Sequence, residues 1–133
     1  MNRKEKWMLM IPAFWASLFD IGITIGHQSQ EYWSGNLTSA NEANPIGSFF
    51  MTSHVSGIFV ISLLWLVLIG LLGYYLPRKL SRIFLLFVLM VHSVGASTWL
   101  LSNYGFWYVI LLMMTNAVLF YVIEDMVFRS KRM

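Results

Sequence analysis

Four apolar runs, each about as long as a membrane-crossing helix or longer, take up most of this chain. They are residues 7–27, 45–76, 83–101 and 106–127. A helix needs about 20 mostly apolar residues to cross the roughly 30 Å hydrocarbon core of a bilayer. Only 11% of the 133 residues are charged, against about 25% in a soluble domain. The sequence therefore predicts one all-α domain, an integral membrane protein built as a four-transmembrane-helix bundle.

One long polar segment, residues 28–44, separates the first run from the second. Gly35 within it and Pro45 directly after it favour a loop. Asn44 followed by Pro45 is typical of a helix N-cap and first helical position, so we expect the second helix to begin at Pro45. A continuous helix over 45–76 would be about 45 Å long, which exceeds the hydrocarbon core, so it must tilt, kink or protrude.

Basic residues lie in three short clusters, at the N-terminus, in the turn 77–82 and at the C-terminus. Four crossings place all three clusters on one side, which the positive-inside rule makes cytoplasmic. We therefore expect cytoplasmic N- and C-termini, an extracytoplasmic 28–44 loop, and a place in the prokaryotic plasma (inner) membrane. The net charge of +3 comes from these topology signals, so the expected partner is the lipid bilayer and not nucleic acid.

Asp20 lies inside the first apolar run. A carboxyl group in the hydrocarbon core costs about 2.5–3.5 kcal/mol on insertion scales, and it usually faces protein or a water pocket. At 100° per residue, one narrow face of the helix carries Ala13, Ala16, Asp20, Thr24 and His27. This face is predicted to meet partner helices. Asp20 either joins helices by a hydrogen bond or belongs to a functional site.

Each predicted helix carries one strongly polar residue at a similar depth in the outer half of the membrane. At 1.5 Å per residue, Asp20, His54 and His92 lie about 10–14 Å below the outer helix ends. Asn116 lies at a similar depth. A carboxylate and two imidazoles can bind Zn²⁺ or Fe²⁺. We therefore predict Asp20, His54 and His92 as candidate metal ligands, with Asp20 also a candidate catalytic residue.

Glu42 lies in the outer loop, in the motif Ala40-Asn41-Glu42-Ala43-Asn44-Pro45. It could fold over the site as a catalytic base, a fourth ligand or a lid. A haem held axially by His54 and His92 is an alternative cofactor. Because the chain has no Cys, thiolate ligands are excluded. The further polar residues expected around the site are His27, Thr24, Asn44, Asn103 and Asn116.

Three functions stay open at this point, and whether the chain is an enzyme stays open with them. The first is metal-dependent hydrolysis or group transfer on a membrane-embedded substrate at this polar site. The second is a non-enzymatic small subunit or assembly partner of a larger membrane complex. The third is a haem-binding element, or a proton-relay or transport element in which Asp20 and the histidines titrate.

The predicted topology can be tested with a reporter fused to the C-terminus. A reporter that works only outside the cytoplasm should be inactive there, because the C-terminal cluster ending at Arg132 is predicted to be cytoplasmic. The same reporter inserted into the 28–44 loop is the matched control and should be active. Activity of the C-terminal fusion would contradict the four-crossing topology.

Overall fold

The computed structural model describes residues 3–129, and within them it contains six α-helices and a short 3-10 turn at Leu37–Ser39. The helices are α1 (Arg3–Gly26), α2 (Gln30–Trp33), α3 (Pro45–Ser53), α4 (Gly57–Tyr75), α5 (Arg78–Asn103) and α6 (Phe106–Arg129). No β-strand occurs in this part of the chain. The expectation of an all-α fold is therefore confirmed.

Four of these helices, α1, α4, α5 and α6, are long and apolar enough to cross a membrane. The shortest is α4 with 19 residues, which corresponds to about 28 Å. Large apolar side chains on the outside of the bundle are exposed, among them Leu63, Met90, Val94, Leu111 and Met114. Soluble monomers rarely expose apolar surface on this scale. The predicted set of four membrane-length helices is thus present.

The first helix, α1, is the centre of the bundle. It contacts α4, α5 and α6, and its contact with α5 is the most extensive. Ala13 and Ala16 are almost fully buried, as their place on the predicted partner face requires. Small side chains let helix backbones approach closely, which is how membrane helices gain packing energy. A buried apolar cluster at one end of the bundle joins α1 to the other three long helices. Besides Ala13 it contains Leu9, Met10, Ile69, Leu85, Val88, Ile123 and Val127.

The predicted helix over 45–76 is divided into α3 and α4. Asn44 is the N-cap of α3, and its side-chain oxygen accepts a hydrogen bond from the Ile46 N–H at 3.0 Å. The helix stops at His54, whose backbone is extended, and α4 begins at Gly57. A Cβ at Gly57 would lie 1.8 Å from the Phe50 carbonyl oxygen, so only glycine allows so close a return. Residues 45–76, too long for one membrane-crossing helix, are therefore divided by a break into a short helix and a longer one.

The segment between α1 and α3, predicted as a loop, contains α2 and the 3-10 turn. One pair of hydrogen bonds closes the segment on itself, and one further hydrogen bond fastens it to the break between α3 and α4. The side chain of Gln28 makes two hydrogen bonds to the backbone of Asn41, at 2.8 and 2.9 Å. Tyr32 is fully buried, and its hydroxyl donates to the Val55 carbonyl at 3.0 Å. These contacts hold the segment that carries Glu42 in a defined position over the ends of the long helices.

Candidate functional site

Asp20 and His92 meet at the contact between α1 and α5. His92 Nδ1 lies 2.8 Å from Asp20 Oδ2, and the side chains are 12% and 18% exposed. Gly95, one turn after His92, makes room for the carboxylate, because a Cβ there would lie 2.8 Å from both of its oxygens. The predicted polar face of α1 thus contacts α5 through an acid–imidazole pair.

Trp65 on α4 fixes the protonation state of the His92 ring. The Trp65 indole N–H donates to His92 Nε2. An indole can only donate, so Nε2 must present its lone pair. A neutral imidazole has one N–H, which must then be on Nδ1 and must donate to Asp20. In this arrangement His92 is neutral, oriented by Asp20, and its basic nitrogen is covered by Trp65.

Glu42, in the segment before α3, is electrostatically coupled to this pair. Its Oε1 accepts a hydrogen bond from the Asn44 N–H at 2.7 Å, and its side chain packs on Gly47, where a Cβ would come within 2.9 Å of it. Burial raises the pKa of Glu42 above its ordinary value, and the Asn44 N–H lowers that pKa. The negative charge of Asp20 also raises the pKa, and the positive charge that His92 carries when protonated lowers it. A proton is therefore held more strongly on Glu42 than on an exposed glutamate.

A second polar contact lies beside the first and joins α1, α5 and α6. Asn116 is buried, and its Oδ1 accepts from the Trp15 indole N–H at 3.0 Å. Its Nδ2 donates to Ser93 Oγ at 2.7 Å, and Ser93 in turn donates to the Leu89 carbonyl. Each polar atom of the Asn116 amide side chain is thus matched to a partner on another helix, as buried amides in apolar surroundings require.

Consecutive residues of α5 therefore connect all four long helices. His92 contacts Asp20 on α1 and Trp65 on α4. Ser93 contacts Asn116 on α6, and Asn116 returns to α1 through Trp15. Three of the four polar residues predicted at one depth, Asp20, His92 and Asn116, therefore lie in two linked contacts and not in one cluster.

His54 is the predicted site residue that the structure does not bring to Asp20. The helix break exposes it at the end of α3, where its Nδ1 accepts from the Ser56 N–H at 3.1 Å and lies 2.8 Å from Ser56 Oγ. The depth estimate assumed one continuous helix, and the break redirects the side chain. Within residues 3–129, no group of three or more His, Asp or Glu side chains is placed to hold a metal ion.

The other predicted polar residues are placed around the helix ends. His27 contacts the Ile23 carbonyl at 2.8 Å and the Tyr104 hydroxyl at 3.1 Å. Thr24 is buried on the Asp20 face of α1. Asn44 caps α3, and Asn103 donates to the Trp99 carbonyl at the end of α5. His27, Asn44 and Asn103 thus have local structural partners that do not include Asp20 or His92.

The residue that the sequence reasoning missed is Trp65. Hydropathy treats a tryptophan inside an apolar run as one more apolar residue. Tryptophan in membrane helices is enriched at the two interfaces, and Trp65 lies near the middle of α4. That position was the available signal, because an indole N–H in the hydrocarbon core needs an acceptor on another helix.

The close approach of Gly95 to Asp20 predicts the outcome of a double-mutant cycle. Gly95→Ala should destabilise the protein by about 1–3 kcal/mol, because its Cβ displaces a carboxylate that His92 holds in place. In an Asp20→Ala background the same change should cost much less, since the clashing atoms are gone. Equilibrium unfolding in detergent measures both values.

The matched control for that cycle is Gly22→Ala on the exposed side of α1, where a Cβ would meet nothing within 4 Å. It should be neutral or stabilising by up to about 1 kcal/mol through helix propensity. Equal costs of Gly95→Ala with and without Asp20 would show that the carboxylate does not occupy this position.

Comparison with models of protein families, with curated protein sequences and with solved structures finds no match to this chain. Its function must therefore be argued from the geometry of its own residues.

Proposed function

We propose that the chain is an integral membrane protein with both termini in the cytoplasm and the 28–44 segment outside, in the plasma (inner) membrane of a prokaryote. The four apolar helices support the insertion in a membrane. The charges of the described residues support it as well: Lys6, Arg78 and Arg82 gather at one end of the bundle, where Lys6 donates to the Tyr74 carbonyl and both arginines stack on Phe128. Basic residues at one end are the usual mark of the cytoplasmic side.

We further propose that the Asp20–His92 pair is an acid–base site for hydrolysis or group transfer on a substrate in the outer leaflet. The observation that carries this proposal is the 2.8 Å contact between the Asp20 carboxylate and His92 Nδ1. A carboxylate on Nδ1 orients an imidazole and stabilises the positive charge that forms when Nε2 takes a proton, as in serine hydrolases.

The roles of the individual groups follow from their positions. His92 Nε2 is the general base, and it takes a proton from water or a substrate hydroxyl after the Trp65 indole moves aside. Asp20 is the positioning residue that keeps the Nδ1 proton in place. Glu42, whose raised pKa favours the protonated form, is the general acid that gives its proton to the leaving group. The 28–44 segment excludes water from the site.

A metal-dependent version of this chemistry would need Asp20, His92 and Glu42 as ligands, because His54 is elsewhere, and within residues 3–129 these three side chains are not placed to hold a metal ion as they stand. A catalytic zinc site normally has three protein ligands. The lone pair of His92 Nε2 is already engaged by Trp65, and the proton on Nδ1 is directed at Asp20, so the ring must turn or lose a partner to bind a metal. Both versions require the displacement of Trp65, but the metal-free site keeps the contact between Asp20 and Nδ1 that a metal site with Asp20 as a ligand would break, and we favour it for that reason.

A non-enzymatic role is the second candidate, and one observation favours it. Both ring nitrogens of His92 already have hydrogen-bond partners on other helices. In this second candidate, the network has a structural role alone: it holds the bundle in the shape needed for assembly with a larger membrane protein. The two candidates predict different effects on turnover for substitutions that alter the hydrogen bonds of His92 but keep the space filled.

The test is an assay of the purified protein in lipid nanodiscs with a total lipid extract, followed by mass spectrometry of lipid products. The wild type should convert at least one lipid species. His92→Gln should reduce the rate by about 10²-fold or more, the usual loss on removing a general base. Glu42→Gln, which keeps an acceptor for the Asn44 N–H but cannot donate as an acid, should also reduce it.

Two comparisons separate the candidates. His27→Gln is the matched histidine control and should leave the rate unchanged. Trp65→Phe should retain activity or raise it, because it uncovers His92 Nε2, whereas a purely structural network would only lose stability. Loss of activity on chelation would instead support the metal-dependent version. Absence of turnover by the wild type with every lipid in the extract would leave the non-enzymatic role as the better account.

A further inference from the structure

A groove between α5 and α6 lies at the basic end of the bundle, remote from the Asp20 site. Its volume is about 410 Å³. The residues that line it are Arg78, Lys79, Arg82, Ile83, Leu86, Phe120 and Glu124. Its mouth is therefore charged and its floor apolar. Along α5 the lining extends from Arg78 to Leu86, about 12 Å at 1.5 Å per residue.

The charges at the mouth favour an anion. Among the described residues that line the groove, Arg78, Lys79 and Arg82 are the cations and Glu124 is the one carboxylate. Glu124 Oε1 is bound by Arg82 at 2.7 and 3.2 Å, so one cation is largely neutralised. Asp125, the neighbouring carboxylate, lies 3.8 Å from Arg129. Arg78 and Lys79 thus supply the net positive charge of the mouth.

The guanidinium groups are held in place by an aromatic ring. Arg78 and Arg82 lie over the face of Phe128, with their guanidinium Cζ atoms 4.9 and 4.6 Å from the ring centre. This stacking reduces the conformational freedom that an exposed arginine would otherwise lose on binding a ligand. Planar guanidinium groups suit the geometry of phosphate oxygens.

The start of α5 adds backbone donors at the same place. α5 begins at Arg78, and its N-cap is Pro77, which makes no side-chain capping bond. The first N–H groups of a helix have no partner within the helix, and the helix dipole favours negative charge there. Arg78 and Lys79, which provide the first amides, also line the groove. The positive end of the helix dipole thus lies at the same end of α5 as the two cationic side chains.

The apolar floor distinguishes a lipid from a soluble anion. Ile83 and Leu86 are exposed apolar residues on α5, and Phe120 lines the same groove one helical turn before Glu124. A free phosphate would use only the mouth. A lipid headgroup with negative charge would use the mouth while its acyl chain covers the floor, and basic pockets at the cytoplasmic ends of membrane helices bind such lipids.

We propose that this groove is a binding site for one anionic phospholipid, with the phosphate at Arg78 and Lys79 and an acyl chain along Ile83, Leu86 and Phe120. The site does not involve Asp20 or His92, so it can be present whether or not the acid–base proposal is correct. It rests on the membrane insertion of the four helices, because the acyl chain must enter from the bilayer.

Native mass spectrometry of the full-length protein in detergent tests the site, with phosphatidylglycerol and phosphatidylcholine as probes. The wild type should prefer phosphatidylglycerol by about tenfold or more, since each basic residue near a lipid headgroup contributes about 1 kcal/mol and 1.4 kcal/mol is tenfold. The double variant Arg78→Gln/Lys79→Gln should lose most of this preference.

The matched control is Arg3→Gln/Lys4→Gln, which removes the same charge from two exposed residues at the start of α1 and should keep the preference. Leu86→Trp fills the floor without changing the charge, and it should also weaken phosphatidylglycerol binding. Its site is exposed, so folding should be retained, which thermal unfolding would check.

Three results would overturn the proposal. The first is an undiminished preference in Arg78→Gln/Lys79→Gln. The second is a loss in that variant with none in Leu86→Trp, which would show surface attraction without a seated acyl chain. The third is full competition by millimolar glycerol phosphate, which would identify a site for a free phosphate compound and not for a lipid.

Discussion

A carboxyl group buried between two apolar helices must find a hydrogen-bond donor, because hydrocarbon supplies none and an unpaired polar group there costs several kcal/mol. In this bundle Asp20 meets that requirement through His92. The pair in turn requires a glycine at position 95 and brings α1 and α5 closely together. The most extensive helix contact of the fold is therefore organised around one acid–imidazole hydrogen bond.

The polar groups next to this pair must also find hydrogen-bond partners on other helices. Once Nδ1 of His92 carries its proton toward Asp20, Nε2 must accept, and Trp65 on α4 supplies the N–H. The next residue, Ser93, accepts from Asn116 on α6, whose oxygen is satisfied from α1 by Trp15. Such closed networks specify one packing of helices whose apolar surfaces could pack in several ways. The groups of the proposed acid–base site are thus also the contacts that hold the bundle together.

The sequence predicted the parts of this fold that depend on composition and local chemistry. Apolar runs gave the four long helices, Asn44 gave the start of α3, and the small face around Asp20 gave the side that meets α5. Depth along a helix was also informative, but it fixes the level of a side chain and not its direction. His54 was expected near Asp20 on depth alone, and the break before Gly57, which depends on a close backbone return to Phe50, turns it away. The hydrogen bond of Trp65 depends on helix rotation, which no local pattern specifies.

The central claim is that His92 is a neutral imidazole with its proton on Nδ1, held by Asp20 and accepting at Nε2. Nitrogen NMR of the protein labelled with ¹⁵N-histidine tests this directly, since the chain has only three histidines and His92→Gln assigns the signals. At neutral pH the account predicts one protonated nitrogen, Nδ1, and one unprotonated nitrogen, Nε2, in the His92 ring. A proton on Nε2, or averaged signals like those of a free imidazole, would contradict it.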